Sequence, residues 1–137
     1  MATIKVSVIM HDKSGRILLQ LRDEELEKGK WVLFGGSVEK EDQSEEEAVK
    51  REIEEELCYR IKDLSFFKRY KHGSVEQPIY VISKPVSMKN LKLKDGACMR
   101  FFKPADLRSI KIGFNYKEII QDYLNQKSTL KQRLIIA

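Results

Sequence analysis

Arg51-Glu52-Ile53-Glu54-Glu55-Glu56-Leu57, preceded by Ser44-Glu45-Glu46-Glu47 and by Gly35-Gly36-Ser37-Val38-Glu39, is the stretch around which this 137-residue chain is organised. On a helix, at about 100° per residue, Val49, Ile53 and Leu57 share one stripe, while Glu45, Glu52, Glu55 and Glu56 crowd the flank beside it. Such crowding opposes the helix. Like charges three and four residues apart cost about 0.2–0.5 kcal/mol per pair, and Glu52 meets Glu55 at i+3 and Glu56 at i+4. A chain that keeps both pairs either exposes a solvated acidic face or holds a divalent cation between the carboxylates. Hard cations such as Mg²⁺ take carboxylate oxygens and reverse the local repulsion.

Ser44-x-x-Glu47 reads as a capping box, in which the serine hydroxyl and the glutamate side chain each satisfy an orphan backbone N–H. The helix is therefore predicted to begin near Ser44, leaving Gly35-Gly36 in the preceding loop. Adjacent glycines let backbone approach a metal or a phosphate with no Cβ in the way; they also form ordinary turns.

Together these residues resemble the signature of the Nudix hydrolases, G-x5-E-x7-R-E-U-x-E-E-x-G-U, where U is a bulky aliphatic residue. Gly36 matches the opening glycine, and Arg51, Glu52, Ile53, Glu55 and Glu56 match the R-E-U-x-E-E core. Leu33-Phe34-Gly35 and Val38-Glu39 are also similar to the family, and the matched signature occupies residues 36–59. Two departures stand out. Fourteen residues separate Gly36 from Arg51 where the family has thirteen, which places the insertion within Lys40 to Gln43. The family's first glutamate then falls on Asp42 when aligned from Gly36, and on Gln43 when aligned back from Arg51. Only Asp42 brings a carboxylate. Cys58 stands where the family has glycine; if that position is left-handed, as helix ends commonly are, a side chain there costs about 1–2 kcal/mol.

Length predicts one domain over residues 1–137, able to bury roughly two thirds of the surface of its unfolded chain. Net charge is +5, yet Glu39 to Glu56 holds ten acidic and three basic residues, so a local −7 sits inside a remainder of +12. That distribution suits a polyanionic ligand that brings or meets a cation, because the basic shell attracts phosphates and the metal removes the clash at the centre. Non-specific nucleic-acid binding would draw on the same field, but nothing else in the chain points to it. Cys58 and Cys98 form no C-x-x-C pair and read as reduced thiols of a cytoplasmic protein. The start runs straight into a strand pattern and no apolar run approaches membrane-spanning length, so neither a secretion signal nor a membrane partner is expected.

Along the chain, the alternation of Ile4, Val6, Val8 and Met10 and the apolar run Ile17 to Leu21 predict a hairpin turning at Asp12 to Gly15. Arg22 to Lys30 reads as a charged loop, solvated or overhanging a site. Trp31 to Phe34 predicts a short strand into the glycines, with Trp31 in core packing or ligand stacking. Ile61 to Tyr70, Pro78 to Ser83 and Ala97 to Phe102 predict further strands, with a turn at Lys71-His72-Gly73-Ser74. Lys103-Pro104-Ala105-Asp106-Leu107 opens a short helix, proline fitting its first turn. Ile119, Ile120, Tyr123 and Leu124 place a second helix over Asn115 to Gln126. Residues 128–137, with Leu130, Leu134 and Ile135-Ile136, read equally as strand, helix end or homodimer contact, and form a C-terminal extension to the signature domain. The pattern is α+β, and the resemblance implies the Nudix α/β/α sandwich with a central mixed β-sheet.

The resemblance also implies chemistry: hydrolysis of a nucleoside diphosphate linked to another group, by water attack on phosphorus. Glu52, Glu55 and Glu56 would hold Mg²⁺ or Mn²⁺ with the carbonyl of Gly36, Arg51 would hold a helix carboxylate in place, and Glu39 would add an outer contact. The base would be Glu52, Glu76 or Asp95, with Asp95-Gly96, in a turn before a strand, the favoured loop carboxylate; the same dipeptide is an ordinary turn signal. His11 and His72 read as exposed residues, although His72 would also suit a substrate contact. Tyr70, Tyr80, Phe101 and Phe114 are candidates for base stacking or for core. The substrate class is a phosphorylated small molecule of nucleotide type, with triphosphates, nucleotide sugars and oxidised nucleotides all open. Asp42 or Gln43 in the first-glutamate position, with Cys58, motivates an alternative, a non-catalytic nucleotide-sensing module on the same fold. Diphosphate isomerisation on that fold needs a histidine-rich metal site, for which two histidines are too few.

Overall fold

The structure, a computed structural model, describes residues 3–94 and 98–136, with side chains as far as residue 131. The chain runs β1 (Thr3–Ile9), β2 (Ile17–Leu21), β3 (Trp31–Val32), β4 (Phe34–Ser37), α1 (Glu45–Leu57), β5 (Leu64–His72), β6 (Val75–Ile82), β7 (Cys98–Phe102) and α2 (Tyr116–Ile136). Two 3₁₀ segments, Met88–Asn90 and Pro104–Ser109, join the last elements.

The expected mixed sheet is present as four strands in the order β4-β1-β6-β5, with β1 and β6 parallel and the other pairs antiparallel. Beside it lies a three-stranded antiparallel sheet in the order β3-β2-β7. The alternation of β1 explains the layering. Val6 and Val8 face one core with Ala48, Val49, Ile53 and Leu57 of α1, and Ile9 faces a second core with Ile79 and with Ile119, Ile120 and Tyr123 of α2. Helices therefore cover both faces, and the stripe Val49, Ile53, Leu57 is fully buried as its spacing predicts.

Several local expectations are corrected. The turn after β1 forms around Asp12, whose side chain accepts the backbone N–H groups of Ser14 and Arg16 at 3.0 and 2.9 Å. Yet β1 and β2 then diverge into different sheets and meet only at the His11–Ile17 bridge. Trp31 to Phe34 is split: Trp31–Val32 pairs with β2 and Phe34–Ser37 with β1. Gly35 and Gly36 consequently lie in strand β4 and not in a loop. A Cβ on Gly35 would strike the Val6 carbonyl of the neighbouring strand, so close backbone approach is what requires glycine there. The last hairpin turns on Gly73-Ser74 alone, with His72 already paired to Val75. Proline at 78 masks the true start of β6, since its missing N–H argues against strand interior. Residues 128–136 continue α2 as helix, and Leu130 is exposed.

Candidate active site

Ser44 caps α1 as its sequence predicts, its Oγ accepting the Glu47 backbone N–H at 3.1 Å. The helix thus begins with its acidic flank already in register toward β4. Glu52 and Glu56 project into a cleft of about 870 Å³ that Gly36 and Ser37 also line. Gly36 is a cradle, because a Cβ there would collide with the Glu52 carboxylate. One oxygen of Glu56, Oε2, is buried with no hydrogen-bond partner. Burial above all, then the hydrogen bond to Glu52 and the charges of Glu52, Glu55 and Glu24, pushes the Glu56 carboxyl up to about 8. An orphaned carboxylate oxygen beside a second carboxylate is costly unless a cation or a proton answers it.

Arg51 organises the opposite side of this pair. Its Nε and Nη2 donate to the two oxygens of Asp42 at 2.9 Å each, Nη2 donates also to the Ser37 carbonyl at 3.1 Å, and Nη1 reaches Glu52 Oε1 at 3.1 Å and Glu55 Oε2 at 3.3 Å. Glu39 Oε1 stands 3.5 Å from Nη1. The bidentate bond to Asp42 leads the groups that keep the guanidinium protonated, and Arg51 in turn holds the Asp42 carboxyl below its usual range. Asp42, whose side chain is 5 % exposed, also accepts the Glu39 backbone N–H at 2.8 Å. Of the two residues left open by the insertion, Asp42 meets Arg51 and Gln43 is exposed.

At the far end of α1, Cys58 is left-handed at φ 52°, its backbone N–H bonding the Glu54 carbonyl at 3.1 Å. The family's glycine is absent where that conformation favours it, a cost of about 1–2 kcal/mol.

The cleft has a second end built from distant segments. Of the charged loop, Arg22, Asp23, Glu24, Leu26 and Glu27 line its wall, and His72, Gln77, Phe114 and Tyr116 complete it. Gln77 and Asn115 exchange two amide hydrogen bonds of 2.9 and 2.7 Å, and Ser7 Oγ lies 3.0 Å from the Tyr116 hydroxyl. Burial raises the Tyr116 phenol, so it stays protonated at neutral pH.

Among the residues singled out in the sequence, Gly36, Glu52 and Glu56 share the cleft. Glu55 is turned to Arg51 with its side chain 59 % exposed, and among the described residues no three acidic, histidine or cysteine side chains stand in ready-made metal geometry. Another depression, of about 880 Å³, takes in Glu55, Arg51 and Asp42 but neither Glu52 nor Glu56, so it is the lesser candidate. Glu76 is not in the cleft: its neighbours Val75 and Gln77 are, and strand alternation sends Glu76 to the other face, 3.8 Å from Arg69. Asp95 lies outside the described residues. Tyr70 bonds Asp122 at 2.6 Å, Tyr80 packs edge-on with Phe66, Phe101 packs on the first core, and Trp31 packs edge-on with Phe102 at 4.8 Å. Only Phe114 of the aromatic candidates reaches the cleft, and His72 joins it.

Arg22, Glu24 and Glu27 were legible only as members of a charged loop, and Gln77 and Tyr116 were not legible as site residues. Gln77 alone carried a signal, a polar residue 5 % exposed inside an apolar strand. No helix among the described residues is long and apolar enough to cross a membrane.

A family model described as NUDIX domain matches residues 1–123. No protein of curated function matches the chain. Among solved structures, a MutT from work on Aliivibrio salmonicida and Vibrio cholerae superposes with a TM-score of 0.77 at 21% identity, over 90% of this chain and 98% of the other. The NUDIX domain of Shewanella oneidensis NrtR, complexed with ADP ribose, gives 0.78 at 17% identity, over 92% and 88%. A MutT NUDIX hydrolase from Burkholderia pseudomallei gives 0.65 at 25% identity, over 74% and 83%.

Proposed function

The chain belongs to the NUDIX family, and on that premise we propose that it hydrolyses the pyrophosphate linkage of a nucleoside diphosphate derivative, a triphosphate, nucleotide sugar or similar compound, by water attack on phosphorus. The observation that carries this reading is the buried, partnerless Glu56 Oε2 beside Glu52, against a Gly36 that leaves no room for a side chain. This donor set fits a hard divalent cation. The Gly36 carbonyl, Glu52, Glu55 and Glu56 would hold Mg²⁺ or Mn²⁺, which when bound neutralises phosphate oxygens and lowers the pKa of water.

The protein's own residues do the rest. Asp42 fixes the plane of Arg51, and Arg51 orients Glu52, whose side chain is shielded from solvent, and reaches the exposed Glu55 through the same Nη1. The attacking water gives its proton to a carboxylate, and Glu52 and Asp95 are the two residues we assign to that role. Glu52→Gln against Asp95→Asn separates them through the acid limb of the pH–rate profile. Basic residues outside the acidic stretch draw the polyanionic substrate to the cleft.

Incubation with a panel of nucleotides in Mg²⁺ or Mn²⁺, with products identified by phosphorus NMR, tests the proposal; release of phosphate, pyrophosphate or a nucleoside monophosphate is the expected result. Tight binding of a nucleotide with no product from any compound would instead support a sensing module. The fold shared with the NrtR domain, described as complexed with ADP ribose, favours that second reading.

A further inference from the structure

Among the described residues three that are not glycine take positive φ: Glu27 at 60°, Cys58 at 52° and Phe114 at 51°. Cys58 ends a helix, where such angles are common. Glu27 and Phe114 are different, because they are bonded to one another. Eighty-seven positions apart, the Phe114 backbone N–H donates to Glu27 Oε1 at 3.0 Å, while Lys30 Nζ holds the other carboxylate oxygen at 2.6 Å. Two residues in a conformation that L side chains avoid thus meet on the wall of the cleft, and each side of the bond over-determines the other.

The surrounding contacts tighten this junction. Trp31 donates to the Lys111 carbonyl at 2.8 Å, and Gly113 donates to the Trp31 carbonyl at 2.9 Å, tying residues 111–114 to β3. A Cβ on Gly113 would press on Val32 Cγ1 at 2.9 Å, so the segment lies flat against the strand. Phe114, half-buried, lines the cleft at this junction, with the Tyr116 ring edge-on to its own at 5.7 Å. The Arg22 guanidinium lies 5.4 Å from the Phe114 centroid, and the His72 ring stands edge-on at 6.5 Å. Arg22 Nε donates to the Leu26 carbonyl and Nη2 to Glu24, both at 2.9 Å and both exposed, so a planar ligand can displace or share this guanidinium. Lys30, then the Phe114 N–H, holds the Glu27 carboxyl below its ordinary range, so the acceptor is charged at neutral pH.

We propose that Glu27 is a positioning residue for substrate selection: by fixing Phe114 in its left-handed conformation it presents the ring as a stacking face for the planar base of a nucleotide. The inference rests on the nucleotide reading above. Flat aromatic and guanidinium groups attract every base by its π-face, so the junction selects compounds with a base over bare polyphosphates without reading base identity.

The test is calorimetric binding of the four nucleoside triphosphates and ADP-ribose against inorganic tripolyphosphate, for the wild type, Glu27→Ala, Glu27→Gln and Phe114→Leu. The expected result is that Glu27→Ala and Phe114→Leu each lower the ratio of nucleotide to tripolyphosphate affinity about tenfold. Glu27→Gln keeps an oxygen acceptor and restores most of that ratio, and adding Glu27→Ala to Phe114→Leu lowers it no further. Equal weakening toward both ligands, or an unchanged ratio in Phe114→Leu, overturns the proposal. Should Glu27→Ala fail to fold, Phe114→Leu and Glu27→Gln still decide it. A wild type that binds nucleotides yet releases no product sinks the hydrolase reading and leaves this test standing.

Discussion

The two ends of the cleft are assembled in opposite ways. The acidic end draws Gly36, Glu52 and Glu56 from one stretch of the sequence, a strand and the helix that follows it, with Asp42 and Arg51 of the same stretch bonded behind Glu52. The open end draws Arg22, Glu27, His72, Gln77 and Phe114 from four separate segments joined by hydrogen bonds across as many as 87 positions. Charge that must converge on a cation is most cheaply held on consecutive helix turns, where spacing alone sets geometry. A surface that selects a substrate is built on loops carried by a rigid scaffold, so it can vary without disturbing the chemistry.

That contrast breaks most decisively at Glu56. Glu56→Gln is expected to lower turnover by at least about 100-fold, on the scale set by the loss of residues that merely support metal ligands. Without added metal the variant should be no less stable than the wild type, because it removes a buried carboxyl that the neighbouring carboxylates repel when it ionises and whose Oε2 has no partner. Steady-state kinetics and thermal denaturation in chelator check the two halves, and an undiminished rate would undo the assignment.

Arg51→Lys and Asp42→Asn sharpen the contrast at its next level. Each removes a bidentate bond behind the carboxylates and should cost about 10–100-fold in Mn²⁺ affinity, read by calorimetry. Gln43→Ala should stay near wild type, since Gln43 is exposed and makes no bond to Arg51.

A pH series isolates Glu56. Its carboxyl is raised from 4.5 to about 8, so the folded state binds a proton that the unfolded state has already released. The stability of the metal-free protein from this group is greatest below pH 4.5 and falls as pH rises to about 8, beyond which the slope vanishes. Denaturant midpoints across that window should show the decline, and Glu56→Gln should remove it. Saturating Mg²⁺ should flatten it as well, by favouring the ionised carboxylate.

The smallest effect belongs to the end of the helix. Cys58→Gly relieves a left-handed side chain and should raise stability by about 1 kcal/mol, or about 4 °C in melting temperature, with activity near wild type.

Legibility follows the same division. The helix from Ser44, its buried stripe and the clustering of Glu52 and Glu56 were readable because they depend on spacing over a few turns. The strands were readable as runs, but Trp31 to Phe34 hid a change of sheet, and Gly35-Gly36 read as a loop although they pair with Val6 and Ser7. Whether a glycine faces a turn or a neighbouring strand depends on what packs against it, which local pattern does not carry. Glu55 illustrates the limit within the motif itself: its position was evident, but its turn toward Arg51 depends on the guanidinium that Asp42 holds. Phe114 was legible as one of four aromatic candidates, but its bond to Glu27 was not, because that bond spans most of the chain.

The passage of the backbone from β3 to β4 has a mechanical corollary. Leu33, 3 % exposed and wedged into the second core, is the single residue between a strand of one sheet and a strand of the other. Strand β4 carries the acidic jaw through Gly36, while β3 anchors the jaw that bears Phe114 through the bonds of Trp31. With its pivot locked in packed side chains, this calliper sets the spacing of its two jaws through one buried residue.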